Sequence, residues 1–159
     1  MRPGAMALDG NGNVVVTGSS SGDYYTAKYA AANGVLLWER RYNGPGNAGD
    51  VATALALDLQ ANVLVTGYSR GNGTGDDYYT AKYAAADGAL LWDTRFTSAG
   101  NNTDQAAALR VDGHGNAVVA GMSYNGVNMD YFIANFAAEN GAPLWTTQYD
   151  GPANGDDKF

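Results

Sequence analysis

The chain has 159 residues, and 9 basic against 16 acidic residues give it a formal net charge of −7. This charge repels the phosphates of nucleic acids and anionic membrane surfaces, so we expect neither as a partner. The sequence contains no cysteine, which excludes disulfide bonds and thiolate chemistry. No apolar run approaches the roughly 20 residues of a membrane span, and none follows Met1 in the manner of a signal peptide.

One unit occurs three times along the chain. Related seven-residue segments lie about 50 residues apart, at Asp23–Tyr29, Asp77–Tyr83 and Asp130–Phe136. A tryptophan follows the sixth position of each segment after ten residues, at Trp38, Trp92 and Trp145. We therefore expect a single repeat domain with units at approximately 1–49, 50–103 and 104–159, each packing on its neighbours.

The first strand of the chain begins with an unfavourable residue. Arg2-Pro3-Gly4 stands where the second repeat has Val51-Ala52-Thr53. Proline cannot donate a hydrogen bond to a β-ladder. We therefore expect this strand to be frayed at its start or to begin only near Ala5.

The segments that follow each first strand are typical of tight hairpin turns. They are Asp9-Gly10-Asn11-Gly12, Asp58-Leu59-Gln60-Ala61 and Asp112-Gly113-His114-Gly115. The first of them also resembles the start of a calcium-binding loop, but Val14 and Ser20 stand where such a loop has its glycine and its final acidic residue. We interpret these segments as hairpin turns and not as metal sites.

Each repeat is predicted to contain four strands. In the second repeat they are Val51–Asp58, Asn62–Tyr68, Tyr78–Tyr83 and Leu90–Phe96. The last two are joined by a turn that contains Asp87-Gly88. No segment shows helical periodicity. Four antiparallel strands per repeat, with an aromatic residue in the last, favour an all-β fold of propeller blades; the alternative is a β-solenoid, whose rungs are usually shorter.

Three segments of the first repeat resemble the bacterial β-propeller repeat called SBBP. They are Asp9–Gly18, Asp23–Tyr29 and Gly34–Asn47. This resemblance implies a β-propeller in a secreted or surface-associated bacterial protein and implies no single activity. The segments Gly34–Trp38, Gly88–Trp92 and Gly141–Trp145 also resemble the glycine-to-tryptophan joint of quinoprotein dehydrogenase propellers. There the motif serves blade packing, and no quinone or calcium ligands can be matched in this chain.

The repeated polar and aromatic residues have structural explanations. We expect the three tryptophans to anchor the packing between blades, and Lys28 and Lys82 to be exposed or paired with a carboxylate. Six aspartates recur just before strands and are expected to accept hydrogen bonds from loop backbone. They are Asp23, Asp50, Asp77, Asp104, Asp130 and Asp157. Calcium shared between such carboxylates is the weaker alternative, so we expect no cofactor.

Three blades leave two ends open, because propellers close with roughly four to eight blades. We expect two copies to associate head to tail as a homodimer with a six-bladed ring. The alternative is that the chain is a piece of a longer propeller.

Strand alternation predicts that the longer connections share one face of the molecule, opposite the hairpin turns. They are Ser19–Gly22, Ser69–Asp76 and Met122–Met129, with linkers around Asn43–Asn47, Ser98–Asn102 and Gly151–Asn154. Amide, carboxylate and aromatic groups there suit a carbohydrate ligand. The candidate ligand residues are Tyr68, Arg70, Asn72, Asp76, Asn101, Asn102, Tyr124, Asn125 and Asn128.

The sequence offers little for catalysis. His114 is the only histidine and lies in a predicted turn, so neither a hydrolytic triad nor a zinc site has its usual residues. Nothing in the spacing of the acidic residues singles out a glycosidase pair. We therefore expect no enzyme but a scaffold or protein-interaction module that self-assembles, with glycan binding as the alternative.

Overall fold

A computed structural model of the chain describes residues 2–98, 101–152 and 155–157. Parts of two predicted linkers, Ala99-Gly100 and Ala153-Asn154, lie outside the described residues, as do Lys158 and Phe159. Twelve strands cover most of the described chain. They are β1 Arg2–Leu8, β2 Val14–Ser20, β3 Asp23–Tyr29, β4 Leu36–Tyr42, β5 Asp50–Leu57, β6 Val63–Arg70, β7 Asp76–Tyr83, β8 Leu90–Phe96, β9 Asp104–Val111, β10 Ala117–Tyr124, β11 Met129–Phe136 and β12 Pro143–Tyr149.

The strands form three antiparallel sheets of four, in the orders β1-β2-β3-β4, β5-β6-β7-β8 and β9-β10-β11-β12. Each sheet corresponds to one sequence repeat, and the all-β propeller-blade prediction is confirmed. Among the described residues, no helical segment has the length and apolarity needed to cross a bilayer.

The expectation that Pro3 delays the first strand was wrong. β1 begins at Arg2, which pairs with Ser19, and the register shifts only between Pro3 and Ala5. The other two sheets have the same bulge in their first strands, at Thr53 and Ala107. Proline is tolerated here because β1 is an edge strand next to a bulge.

Neighbouring sheets pack face to face, and the cores lie between them. We call the side of a sheet that packs on the following sheet its trailing face, and the opposite side its leading face. Tyr24 and Trp38 on the first sheet pack with Leu55, Val65 and Tyr79 on the second. The second joint repeats this arrangement, with Tyr78, Trp92, Leu109, Val119 and Phe132.

Candidate functional site

Each joint between sheets is closed by a tryptophan of the preceding sheet. Trp38 is 5% exposed, and its Nε1 donates to the carbonyl oxygen of Ala85 at 3.3 Å. Its ring lies over Gly88, where an added Cβ would stand 2.7 Å from Trp38 Cε3. Trp92 repeats the arrangement, donating to the carbonyl oxygen of Ala138 at 3.0 Å. The prediction that these tryptophans anchor the packing between blades is confirmed at both joints.

A buried lysine lies beside each of these two tryptophans. Lys28 Nζ contacts Asp9 Oδ2 at 2.8 Å and donates to the Ala85 carbonyl oxygen at 2.9 Å. Lys82 makes the equivalent contacts, with Asp58 Oδ2 at 2.9 Å and the Ala138 carbonyl oxygen at 3.0 Å. The expectation of exposed lysines was wrong and the carboxylate-partner alternative is confirmed, because the following sheet covers both side chains.

These ion pairs change the acidity of their carboxylates. The hydrogen bond from Lys28, helped by donors from Asn13, holds the pKa of Asp9 well below its usual range. Burial raises the pKa of Asp58, but hydrogen bonds from Lys82 and Asn62 more than offset this and leave the pKa lowered. Asp9 also accepts the backbone N–H groups of its own turn, as predicted for a hairpin.

The leading face of the first sheet has the same surface that the other sheets bury. Met6 is 72% exposed, whereas its counterparts Leu55 and Leu109 are 9% and 0% exposed. Gly34 corresponds to Gly88, yet no atom lies within 4 Å of a Cβ placed there. A depression of about 280 Å³ on this face is lined by Gly4, Ala5, Met6, Val16 and Thr17. This face is therefore shaped like the receiving side of an internal joint.

The trailing face of the third sheet is the opposite half of a joint. Trp145, the counterpart of Trp38 and Trp92, is 48% exposed. Tyr149 is 58% exposed, whereas its counterparts Tyr42 and Phe96 are partly buried against the cores of the internal joints. This face departs from the other blades at Asn135, which replaces the lysine and has a buried Oδ1 without a hydrogen-bond partner.

The longer connections meet on one face, with shorter loops than predicted. β2, β6 and β10 extend to Ser20, Arg70 and Tyr124, so their loops cover only residues 21–22, 71–75 and 125–128. The loops contact the linkers between blades, as when the N–H of Gly75 donates to the Asn101 carbonyl oxygen at 2.9 Å. Tyr68, Arg70, Asp76 and Tyr124 accordingly lie in strands, and the remaining candidate ligand residues lie in loops and linkers.

Several candidate ligand groups bind other parts of the protein. Arg70 Nε lies 3.2 Å from Asp76 Oδ1. Asn125 Nδ2 donates to Asn128 Oδ1 at 2.7 Å, and Asn128 Nδ2 donates to the Gly155 carbonyl oxygen at 2.7 Å. Asn72, Asn101 and Asn102 are exposed, while Tyr68 and Tyr124 are half-buried. The loop face thus brings only some of the candidate ligand residues together. Many of their polar atoms form ion pairs or hydrogen bonds with other parts of the same face.

The recurring aspartates order the linkers. Asp50 and Asp104 are fully buried, and each accepts the backbone N–H of the residue six positions before it, at 2.8 and 2.7 Å. Asp157 repeats the contact with Gly151 at 2.7 Å. The backbone-capping prediction is confirmed for these three. Asp77 and Asp130 instead accept hydrogen bonds from side chains.

The repeat pattern matches a known family. The family model described as outer membrane protein assembly factor BamB matches residues 3–156. The chain belongs to this family. The resemblance to SBBP therefore holds at the level of a β-propeller repeat family, and the matching model is the BamB one.

Solved structures agree with this fold. One similar structure is the crystal structure of BamB from Moraxella catarrhalis, with a TM-score of 0.52 and 18% sequence identity. The match covers 95% of this chain and 40% of that chain, so this chain spans about two fifths of that protein's length. At this identity the likeness shows the fold alone. No curated protein sequence matches the chain.

Proposed function

We propose that the chain is a non-catalytic protein-interaction scaffold whose two open end sheets bind those of a second copy, giving a head-to-tail homodimer with six blades. The observation that carries this proposal is the pair of internal joints. Both join a trailing face to a leading face with the same contacts, and the chain exposes one unpaired face of each kind. The matched family's description as an assembly factor is consistent with a protein-interaction role.

The contacts of the new joint follow from the internal ones. Trp145 of one copy packs on Gly34 of the other and donates its Nε1 to the carbonyl oxygen of Ala31, as Trp92 does with Gly141 and Ala138. Met6 then becomes buried, as Leu55 and Leu109 are at the internal joints. Burying a large apolar side chain contributes about 1.5–3 kcal/mol.

The new joint lacks one polar contact that both internal joints have. Asn135 cannot supply the hydrogen bond that Lys28 and Lys82 donate to a carbonyl oxygen across the joint. We therefore expect the joint between copies to be weaker than those within the chain, and the dimer to dissociate on dilution before the blades unfold.

Two substitutions of exposed apolar residues test the proposal. Trp145→Ala removes the anchor of the new joint, so the variant should elute as a monomer in size-exclusion chromatography while keeping its β-sheet circular dichroism. Leu59→Ala is the control, because Leu59 is 89% exposed in a hairpin turn away from both end faces. A Trp145→Ala variant that elutes with the wild type would contradict the proposed interface.

The absence of catalysis belongs to the same proposal. Lys28, Lys82, Asp9 and Asp58 are buried ionisable groups, and all four are engaged in ion pairs or backbone contacts that serve the fold. A bacterial origin and a secreted or surface location, which the SBBP-like motifs imply, are likewise proposed.

Glycan binding is the second candidate. It is favoured by the exposed Asn72, Asn101 and Asn102 in the loops and linkers of the loop face. A glycan array with the labelled chain tests it, with Asn72→Ala as the variant that should lose signal. Absence of binding to every glycan would exclude this function and leave the scaffold proposal intact.

A further inference from the structure

Three carboxylates converge on the loop face of the third blade. One oxygen each of Asp130, Asp150 and Asp157 lies within 4.8 Å of the other two. Asp130 is 1% exposed, Asp157 is half-buried and Asp150 is exposed. Three like charges at this separation repel one another, and a cation among them offsets that repulsion.

Protein donors satisfy only part of this cluster. Asp130 Oδ2 accepts hydrogen bonds from Asn125 Nδ2 at 2.8 Å and from Gln148 Nε2 at 3.0 Å. Its Oδ1 is buried and has no hydrogen-bond partner. Asp157 Oδ2 accepts the N–H of Gly151. Within the part of the chain that the structure describes, no lysine or arginine pairs with any of the three carboxylates.

The second blade balances the same position with an arginine. Asp77 is the counterpart of Asp130 and is equally buried, at 1% exposed, with an unpartnered Oδ1. Its Oδ2 accepts from Arg95 Nη1 at 2.6 Å. Arg95 also donates to the carbonyl oxygen and the hydroxyl of Ser69, which ties β8 to the end of β6. In the second blade, the guanidinium of Arg95 therefore balances the charge of the buried Asp77 carboxylate.

The third blade lacks this arginine and gains a carboxylate. Gln148 stands at the position of Arg95, and Asp150 stands at the position of Thr97. Asp157 and Asp104 are equivalent acids, so the formal charge over the four matched positions falls from −1 in the second blade to −3 in the third. The difference equals the charge of one divalent cation.

We propose that Asp130, Asp150 and Asp157 bind a divalent cation that prefers oxygen ligands, with calcium as the probe. Carboxylate oxygens in irregular loops are the ligands that calcium takes. The cation occupies the electrostatic role that Arg95 has in the second blade, and it joins the start of β11 to the linker that follows β12. Of the six recurring aspartates in the sequence, only Asp130 and Asp157 belong to this site, and Asp150 completes it.

Calcium titration of the chelator-treated chain by calorimetry tests this site. We expect one calcium per chain. Asp150→Asn removes one ligand from an exposed position, so the variant should fold normally and bind calcium at least tenfold more weakly. Glu139→Gln is the matched control, because it removes one charge from an exposed turn on the opposite face and should leave the affinity unchanged.

Introducing the arginine of the second blade into the third blade gives an independent test of the site. Gln148→Arg places a guanidinium beside Asp130, so it should abolish calcium binding and raise the melting temperature measured in chelator. A wild-type chain that binds no calcium, or an unchanged calcium affinity in either Asp150→Asn or Gln148→Arg, would overturn the proposal. The heat of binding is measured per chain and does not depend on dimer formation.

Discussion

Gly88 lies directly beneath the indole ring of Trp38, so that a Cβ at residue 88 would stand 2.7 Å from Cε3 and 2.8 Å from Cδ2 of the ring. Its φ of 71° also falls in the left-handed region that favours glycine. The turn therefore approaches the tryptophan so closely that residue 88 has no room for a side chain.

Comparing Gly88→Ala with Gly34→Ala separates the effect of the close contact with Trp38 from the effect of the positive φ. Gly34 has a similar φ of 68° but open space around it, so its substitution should cost only the backbone strain of about 1–2 kcal/mol. Gly88→Ala adds the collision with Trp38 and should cost about 1–3 kcal/mol more. Urea unfolding of both variants in a Trp145→Ala background, where the dimer is absent, measures the difference. Equal costs would contradict the packing described for Trp38.

Lys82→Met should strongly destabilise the chain. It leaves Asp58 buried without its cation, and breaking a buried ion pair from one side typically costs about 3–5 kcal/mol. The double variant Lys82→Met/Asp58→Asn removes both charges and should recover part of the loss. Urea unfolding of the two variants gives the comparison, and a double variant no more stable than Lys82→Met would contradict a charge-based effect.

Stability should fall in acid because of the same ion pairs. The folded-state pKa values of Asp9 and Asp58 are below their ordinary values. Each pair therefore contributes its full stability above the unfolded pKa of about 3.9, and loses it as the pH falls from there toward the folded pKa. Unfolding free energies measured between neutral pH and pH about 2 should show this decline. The Lys82→Met/Asp58→Asn variant should decline less steeply, and an identical pH profile would contradict the assignment for Asp58.

The second blade contains a buried pair of threonine hydroxyls, and the third blade has apolar residues at the same two positions. Thr66 and Thr80 are 0% and 1% exposed and share a hydrogen bond of 2.8 Å, whereas the third blade pairs Ala120 with Ile133 at this position. Thr66→Ala alone leaves the Thr80 hydroxyl short of a partner and should cost about 1–3 kcal/mol.

The double variant Thr66→Ala/Thr80→Ile reproduces the pair of the third blade. It should cost less than Thr66→Ala, because no buried hydroxyl is left unpaired. Thermal unfolding of the two variants measures this, and a double variant no more stable than Thr66→Ala would contradict it.

The repeat pattern predicted the fold because it carries the turn chemistry and the anchors of every blade. Asp87-Gly88 fixed one hairpin, and the constant spacing of Trp38 and Trp92 identified the packing residues. The predicted strands end within two residues of the observed ones in the second blade. The start of β1 was missed because the sequence does not reveal that Pro3 lies beside a bulge on an edge strand.

The candidate sites were predicted less well, because they depend on which face of each sheet is covered. Alternation along β3 and β7 cannot show that Lys28 and Lys82 are buried, because their burial depends on the sheet that packs on the trailing face of each blade. The cluster around Asp150 had a signal in the sequence. Aligned repeats show Gln148 in place of Arg41 and Arg95, but only the three-dimensional distances bring Asp150 next to Asp130.

The absolute mass of the wild-type chain in solution tests the proposed assembly most directly. Light scattering over a dilution series should give twice the chain mass of 16.6 kDa at high concentration, with dissociation to a folded monomer on dilution. A chain that remains a monomer, or a mixture of larger species with no defined dimer, would contradict the head-to-tail ring.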